Sequence, residues 1–326
     1  MHRLLKKRTF IVKALISLGV MCVLVLRMDM GSLKDLITGI HTEYWVIALT
    51  LMFIQILALA LRWSLLINVH GQRMNYADSL RITLASQLAN YLFITSIGGI
   101  VVRVALAIQH GISWVQSIAA TALDRLMTLA ALLILTTLFL PILFGIVERE
   151  IFDSTVAAVL TFVAAFGVFS LLFMKKVQRH LIFSNRKIAV GYKYLRSIGR
   201  NYNLLAQITA TSLFAQVSYF AAVYVVIIST GADFSLLHFM ALMPMIAVVA
   251  SLPVGYGGWG IREGAFVYGL GLINIPAETA FVVSVQIGLL SMLAVLMAGV
   301  PAVISSPNMA PLKNRLKRSY AKAKFR

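Results

Sequence analysis

Arg262 and Glu263 stand side by side in "SLPVGYGGWGIREGAFVYGL" (251–270), a glycine-rich stretch between long apolar runs. An ionisable side chain at membrane depth costs about 2.5–3.5 kcal/mol on insertion scales, so such a pair marks a polar pathway or a buried partner. The stretch has a counterpart: "GGWGIR" at 257–262 and "GGIVVR" at 98–103 both read Gly-Gly-x-x-x-Arg. Gly98, Gly99, Gly257 and Gly258 permit positive φ and close backbone approach, and a short helix starting after each pair begins with free N–H groups. Helix N-termini attract anions. Arg103 and Arg262, expected in the first turn or so of these helices, would add guanidinium donors to a phosphate or carboxylate. Adjacent residues on a helix diverge by about 100°, so Arg262 and Glu263 are expected to find partners elsewhere, with Asp124 and Arg125 as candidates. The plainer alternative is that Arg262 pairs with Glu263 or Asp124 and only locks the turn.

Other chemistry is poorly represented. "GYGGWG" (255–260) matches G-x-G-x-x-G, but no βαβ unit can surround it. There is no H-E-x-x-H, no G-x-S-x-G and no cysteine pair, and the six histidines have no ligand spacing, so neither a metal nor a cofactor is expected. His238 reads as an interfacial residue. Gln55, Gln87, Asn90, Gln216 and Gln286 can line a polar path, although hydrogen bonding between helices is the commoner use of such residues.

The elements that must position these residues are membrane helices. The chain is 60% hydrophobic and 12% charged, and its apolar runs are long enough to cross a hydrocarbon core of about 30 Å. The 29 Lys and Arg against 11 Asp and Glu do not point to nucleic acid, because the bases fall in blocks between apolar runs, as membrane topology requires. "HRLLKKR" leads into an apolar run at 10–26 without an A-x-A-like cleavage site, which reads as a retained first helix; it carries Cys22, the single cysteine. Further runs occupy 44–66, 79–97, 100–109, 117–145, 155–174, 203–229, 236–252, 263–273 and 277–304. The reading is an all-α polytopic membrane protein with about seven to eight transmembrane helices. It forms a single transmembrane domain over 1–312, followed by a basic cytoplasmic tail, 313–326.

Charge assigns the sides. Segment 175–202 carries eight bases and no acid, and 313–326 carries seven bases and no acid; both are expected in the cytoplasm with the N-terminus. Segments 27–43, 146–154 and 230–235 fit the outside. The loop assigned Arg62, Arg73 and Arg81 and the start of helix 117–145 must then share a side, which holds if 79–110 is a re-entrant hairpin turning at "SIGG". Residues 236–273 form a second hairpin from the opposite face by the same logic. Matching landmarks in the two halves are displaced by 159, 157 and 160 residues, so we expect an inverted repeat, about 10–145 and about 155–304. The basic segment 175–202 reads either as a helix lying on anionic headgroups or as a solvated loop that fixes topology.

"RWSLLI" (62–67), "ANYLFITSIGGIVVR" (89–103), "TALDRLMTL" (121–129) and "SLPVGYGGWGIREGAF" (251–266) together resemble the lysylphosphatidylglycerol synthase transmembrane region, a flippase-like family also called UPF0104, over nearly the whole chain. The first hairpin departs from the family pattern, with Thr95 where a proline is usual and Ile100 where an acid is usual. The resemblance implies the membrane part alone, without the soluble aminoacyl-transferase domain of bifunctional members. It implies an integral protein of a bacterial-type cytoplasmic (inner) membrane that moves or binds an anionic lipid or lipid-linked substrate. Membrane lipids are the expected partners, with a protein partner or a second copy left open. On this reading Arg103 and Arg262 hold the anion, Glu263, Asp124 and Arg125 act as counter-charges or gates, and the repeats rock against each other. Directed transport would then need an ion gradient, a product sink or a partner. The alternatives are a membrane enzyme using Glu263 or Asp124 as acid or base, and an assembly subunit.

Overall fold

The computed structural model describes residues 42–69, 74–92, 96–171, 186–251 and 259–304. The expected helix 10–26 with Cys22, the pair Gly257 and Gly258, and the tail 313–326 lie outside the described residues. Ten helices make up the described chain: α1 (Thr42–Ile67), α2 (Tyr76–Leu92), α3 (Ser96–Gln109), α4 (Trp114–Leu143), α5 (Arg149–Leu171), α6 (Arg186–Arg200), α7 (Tyr202–Ile228), α8 (Leu236–Ala250), α9 (Ile261–Gly271) and α10 (Ala277–Ile304). Four of them, α1, α4, α7 and α10, are long and apolar enough to cross a membrane. The fold class read from the sequence, an all-α polytopic membrane protein, is the fold observed.

Local signals account for the boundaries. Ser113 caps α4 by accepting the Gln116 N–H, and Asn201 caps α7 by accepting the Leu204 N–H. Hydroxyls within the spans satisfy themselves on their own helix: Thr121, Thr136, Ser212 and Ser218 each donate to the carbonyl four residues back. That suits a hydrocarbon surrounding in which water cannot serve them. Large apolar side chains such as Leu138, Phe214 and Met297 remain exposed on the outer faces of the spans. In water such faces would be a liability; against lipid they are the ordinary surface.

The spans assemble as interlocked pairs. α1 packs along α7; α2 and α3 pack together and so do α8 and α9; α2 rests on α10 while α8 rests on α4. α3 also packs on α4 and α9 on α10, and α1 and α7 each touch both α4 and α10. One apolar cluster, with Phe220, Phe239 and Phe266 fully buried, fills the space among α1, α4, α7, α8, α9 and α10. A second, around Trp63, Ile67, Ala107, Ala120, Tyr194 and Ile208, joins the end of α1 to α2, α3, α4, α6 and α7.

Three expectations need correction. Arg62 is no loop residue: it lies inside α1, 2% exposed. Arg81 lies in α2, paired with Asp78. The "SIGG" residues do not form a turn but begin α3, because the chain has already reversed by Ser96. The part of the basic segment that is described is the amphipathic helix α6, not a plain loop, and part of its apolar side meets the bundle. Tyr194 and Ile198 are buried against the bundle, and the Tyr194 hydroxyl donates to the Leu66 carbonyl at 2.8 Å. Gln116 of α4 donates to the next carbonyl, Ile67. The open end of α1 is thereby closed by α4 and α6.

Candidate functional site

Asp124 is the centre of the first constellation. It sits ten residues into α4, about 15 Å along the helix at 1.5 Å per residue, and is buried. Its Oδ1 accepts from Arg62 Nε at 2.7 Å and its Oδ2 from Arg103 Nη1 at 2.6 Å. Each arginine is itself fixed by a small frame. Arg62 Nη1 donates to Ser212 Oγ of α7 and Nη2 to Thr128 Oγ1 of α4, so this guanidinium ties together α1, α4 and α7. Arg103 Nε donates to Ser86 Oγ of α2, and its guanidinium lies over the Trp63 ring, 4.8 Å from the centroid.

Two buried guanidinium groups therefore share one carboxylate, which leaves one positive charge uncompensated among the described residues. Arg103 Nη2 makes no hydrogen bond among the described residues, so its two N–H donors remain available. Four buried polar side-chain atoms also lack a partner among the described residues: Trp63 Nε1, Ser79 Oγ, Thr83 Oγ1 and Gln109 Oε1. All four belong to α1, α2 and α3, the elements around Arg103. Arg125, one residue on, projects to the exposed face of α4 and makes no hydrogen bond or ion pair among the described residues.

The glycines of the first hairpin do something narrower than expected. Neither Gly98 nor Gly99 has positive φ. A Cβ on Gly99 would collide with the Ser86 carbonyl oxygen and the Asn90 side chain, so this glycine lets α3 lie against α2. The Asn90 Oδ1 accepts the Gly99 N–H at 2.9 Å, so that amide at the start of α3 is already taken. Because α3 begins at Ser96, Arg103 lies two turns in, not in the first turn.

The second constellation is built differently. Gly260, with φ of 87°, precedes α9, and its N–H donates to Glu263 Oε2, half of a capping box. That fold-back brings Glu263 Oε1 within reach of its neighbour: Arg262 Nη2 donates to it at 2.6 Å and Arg262 Nε at 3.0 Å. Ser284 of α10 accepts from Arg262 Nε and donates to Glu263 Oε1. The guanidinium is sandwiched between the Trp259 ring, 4.7 Å away, and the bare Cα of Gly288. The expectation that Arg262 and Glu263 must find partners in Asp124 and Arg125 is thus wrong. The 100° divergence applies to Cα–Cβ directions, whereas a capping carboxylate turned toward the helix start meets the long arginine stem. The plainer alternative, an Arg262–Glu263 lock, is the one observed.

Arg103 and Asp124 are thus brought together, as are Arg262 and Glu263, but no hydrogen bond or ion pair joins the two constellations among the described residues. Sequence reasoning missed Arg62, Trp63, Ser86 and Ser284. The signal for Arg62 was present: an arginine followed by an apolar helix end, in an element already read as a span. Of the amides, Asn90 serves α3, and Gln286 of α10 accepts from Trp45 Nε1 of α1 at 3.1 Å, a bond between helices. Among the described residues no cluster of His, Cys, Asp and Glu is arranged to hold a metal.

Four long apolar helices, paired short helices between them and charged groups held at depth define an integral membrane protein with a polar interior. The sequence profile described as lysylphosphatidylglycerol synthase TM region matches residues 10–299, so the chain belongs to that family of membrane-embedded proteins that work on lipids. No curated protein and no solved structure matches the chain.

Proposed function

We propose that this protein is a lipid translocase whose anion site is centred on Arg103. The observation that carries the reading is the Arg62–Asp124–Arg103 cluster: two buried guanidinium groups, one carboxylate, and an Arg103 Nη2 with no acceptor among the described residues. A buried excess charge is costly unless paired, and the nearest remedy in a bilayer is a phosphate-bearing headgroup. Trp63 Nε1, Ser79 Oγ and Thr83 Oγ1, without partners among the described residues, support the same site, because each buried orphan costs about 1–3 kcal/mol that a bound polar headgroup relieves. Asp124 sets the charge balance, while the self-satisfied Arg262–Glu263 pair holds the second hairpin in place.

The helices of the two hairpins measure about 25, 21, 22 and 16 Å at 1.5 Å per residue, shorter than a hydrocarbon core of about 30 Å, which supports re-entrance. Exchanging α1 with α7, α2 with α8, α3 with α9 and α4 with α10 carries the helix pairings into one another, and this supports two repeats of inverted topology. Translocation then proceeds by one repeat rocking against the other around the Arg103 site.

Reconstitution tests the reading. Vesicles containing the protein should move a fluorescent anionic phospholipid between leaflets faster than protein-free vesicles, and Arg103→Gln should lower that rate at least about tenfold. A wild type no faster than empty vesicles, or an Arg103→Gln variant equal to it, would remove the basis for a translocase built on Arg103.

A further inference from the structure

The polar residues of α2 share one face. Ser79, Thr83, Ser86 and Asn90 follow one another at helical spacing, within about 60° of one another around the axis. Two members of this stripe have partners on α3: Asn90 Oδ1 accepts the Gly99 N–H, and Ser86 Oγ accepts from Arg103 Nε. The two helices therefore run antiparallel and the stripe faces α3. The other two members, Thr83 and Ser79, are fully buried, and their hydroxyls have no partner among the described residues. Toward the start of α2 the stripe advances along α3 to Gln109, the last residue of that helix, whose buried Oε1 likewise has no partner among the described residues.

The free donor of Arg103 is turned to the same stripe. In a planar guanidinium, Nε–H and one Nη2–H lie along one edge, and Arg262 presents that edge to Glu263 Oε1. Arg103 presents it to α2, since its Nε donates to Ser86 Oγ at 3.2 Å while Nη1 is turned to Asp124. Ser86 Oγ in turn donates to the Thr83 carbonyl at 2.8 Å, which sets this edge of Arg103 beside Thr83. An anion held on Nη2 thus lies next to the stripe, with Ser79 one turn, about 6 Å, beyond Thr83.

We infer that Ser79, Thr83 and Gln109 form a headgroup subsite adjoining the Arg103 anion site, and that it takes a polyhydroxyl group, a sugar or cyclitol, esterified to the lipid phosphate. This rests on the proposed anion site and specifies what the phosphate carries. The three atoms select the class: two hydroxyls donate or accept and a carboxamide oxygen only accepts, so their complement is a group that offers both, as the hydroxyls of a polyol do. One turn of helix is also the reach of such a ring from its phosphate, whereas a methyl ester stops short. An ammonium headgroup would call for a carboxylate instead, yet Asp124 is held on both oxygens by arginine and Asp78 pairs with Arg81.

Binding to the purified full-length chain in detergent tests this, with short-chain phosphatidylinositol, short-chain phosphatidylmethanol and free inositol 1-phosphate as probes. The two lipids carry the same single negative charge and differ in the hydroxyls. Phosphatidylinositol should bind at least about tenfold tighter than phosphatidylmethanol. Ser79→Ala and Gln109→Leu should each bring that ratio below about threefold, whereas Arg103→Gln should weaken both lipids. Melting of Ser79→Ala no lower than that of the wild type is the check that it folds. Equal affinities in the wild type, or a preference that both variants keep, would overturn the subsite while the Arg103 site stands. Displacement of phosphatidylinositol by an equal concentration of inositol 1-phosphate would overturn the lipid as carrier. Saturable binding of neither lipid would sink the Arg103 site itself, and this inference with it.

Discussion

Arg103 and Asp124 meet at 2.6 Å, through Nη1 and Oδ2, while the other oxygen of the same carboxylate belongs to Arg62 at 2.7 Å. Each oxygen of the carboxylate accepts one charge-assisted hydrogen bond, so both of its edges are held by arginine. Asp124 is thus a fixed counter-charge, and the free chemistry of the site is on the guanidinium side.

Asp124→Asn removes the only negative charge between two buried guanidinium groups. Breaking a buried pair by deleting one partner typically costs about 3–5 kcal/mol, and here two arginines lose their partner at once. The variant should melt far below the wild type in detergent or fail to accumulate. Melting within a degree or two of the wild type would show that the cluster is already solvated.

The two hairpin arginines should behave differently although their motifs match. Arg103→Gln leaves Asp124 paired with Arg62, so the protein should stay folded, with melting close to the wild type and lipid binding lost. Arg262→Gln leaves the fully buried Glu263 without its cation, keeping only the Gly260 N–H and Ser284, so the loss should appear in stability first. Parallel melting and lipid-binding measurements separate the two effects; identical profiles would contradict the asymmetry.

Gly99→Ala should destabilise the hairpin by about 1–3 kcal/mol, since the new methyl meets the Ser86 carbonyl oxygen, which is backbone and cannot rotate away. Gly264→Ala, on α9 with open space around it, is the control and should be neutral or slightly stabilising. Thermal melting of both variants checks this, and a Gly99→Ala protein as stable as its control would mean that α2 and α3 are not held at that spacing.

Much of the fold was legible because lipid makes it so: backbone groups must be satisfied within helices, and length and hydropathy then set α1, α4, α7 and α10. Arg103, Asp124, Arg262 and Glu263 were legible as costly charges in apolar surroundings. Their pairing was not. Whether Arg262 reaches Glu263 depends on a carboxylate rotamer set by the Gly260 cap, and whether Arg62 joins Asp124 depends on how α1 and α4 cross, neither of which helical periodicity encodes. The docking of α6 was also hidden, since a basic amphipathic helix has the same sequence whether its apolar side meets lipid or protein; Tyr194 on Leu66 decides for protein.

Tyr194 supplies a pH dependence. Burial pushes its hydroxyl well above the ordinary tyrosine value of about 10, with the charge of Asp124 acting in the same direction. In the unfolded chain the hydroxyl ionises near its ordinary value while the folded protein keeps its proton. Stability tied to this group is therefore fully present below about pH 10 and declines as pH rises above it. Tyr194→Phe should cost about 1 kcal/mol at neutral pH, by leaving the Leu66 carbonyl uncapped, and should flatten the decline above pH 10. Melting curves from pH 8 to 11 for both proteins are the check, and parallel curves would assign the alkaline loss to other groups.

The inverted arrangement makes the most demanding prediction, because it concerns two positions that nothing in the packing of a single repeat relates. Ser113 immediately precedes α4, and Ala277 begins α10; both are exposed, and the helices they introduce exchange places in the pairing scheme. If the repeats are inverted, single cysteines at these positions, in a Cys22→Ser background, should react with a membrane-impermeant thiol reagent from opposite faces of oriented vesicles. Ser113 lies at the end of the bundle where α6 crosses with its bases, so by the positive-inside rule the expected outcome is labelling of Ser113 from the cytoplasmic face and of Ala277 from the opposite one. Labelling of both positions from one face would require α4 and α10 to start on the same side. The rocking of one repeat against the other would then have no structural basis, even if the Arg103 site still bound lipid.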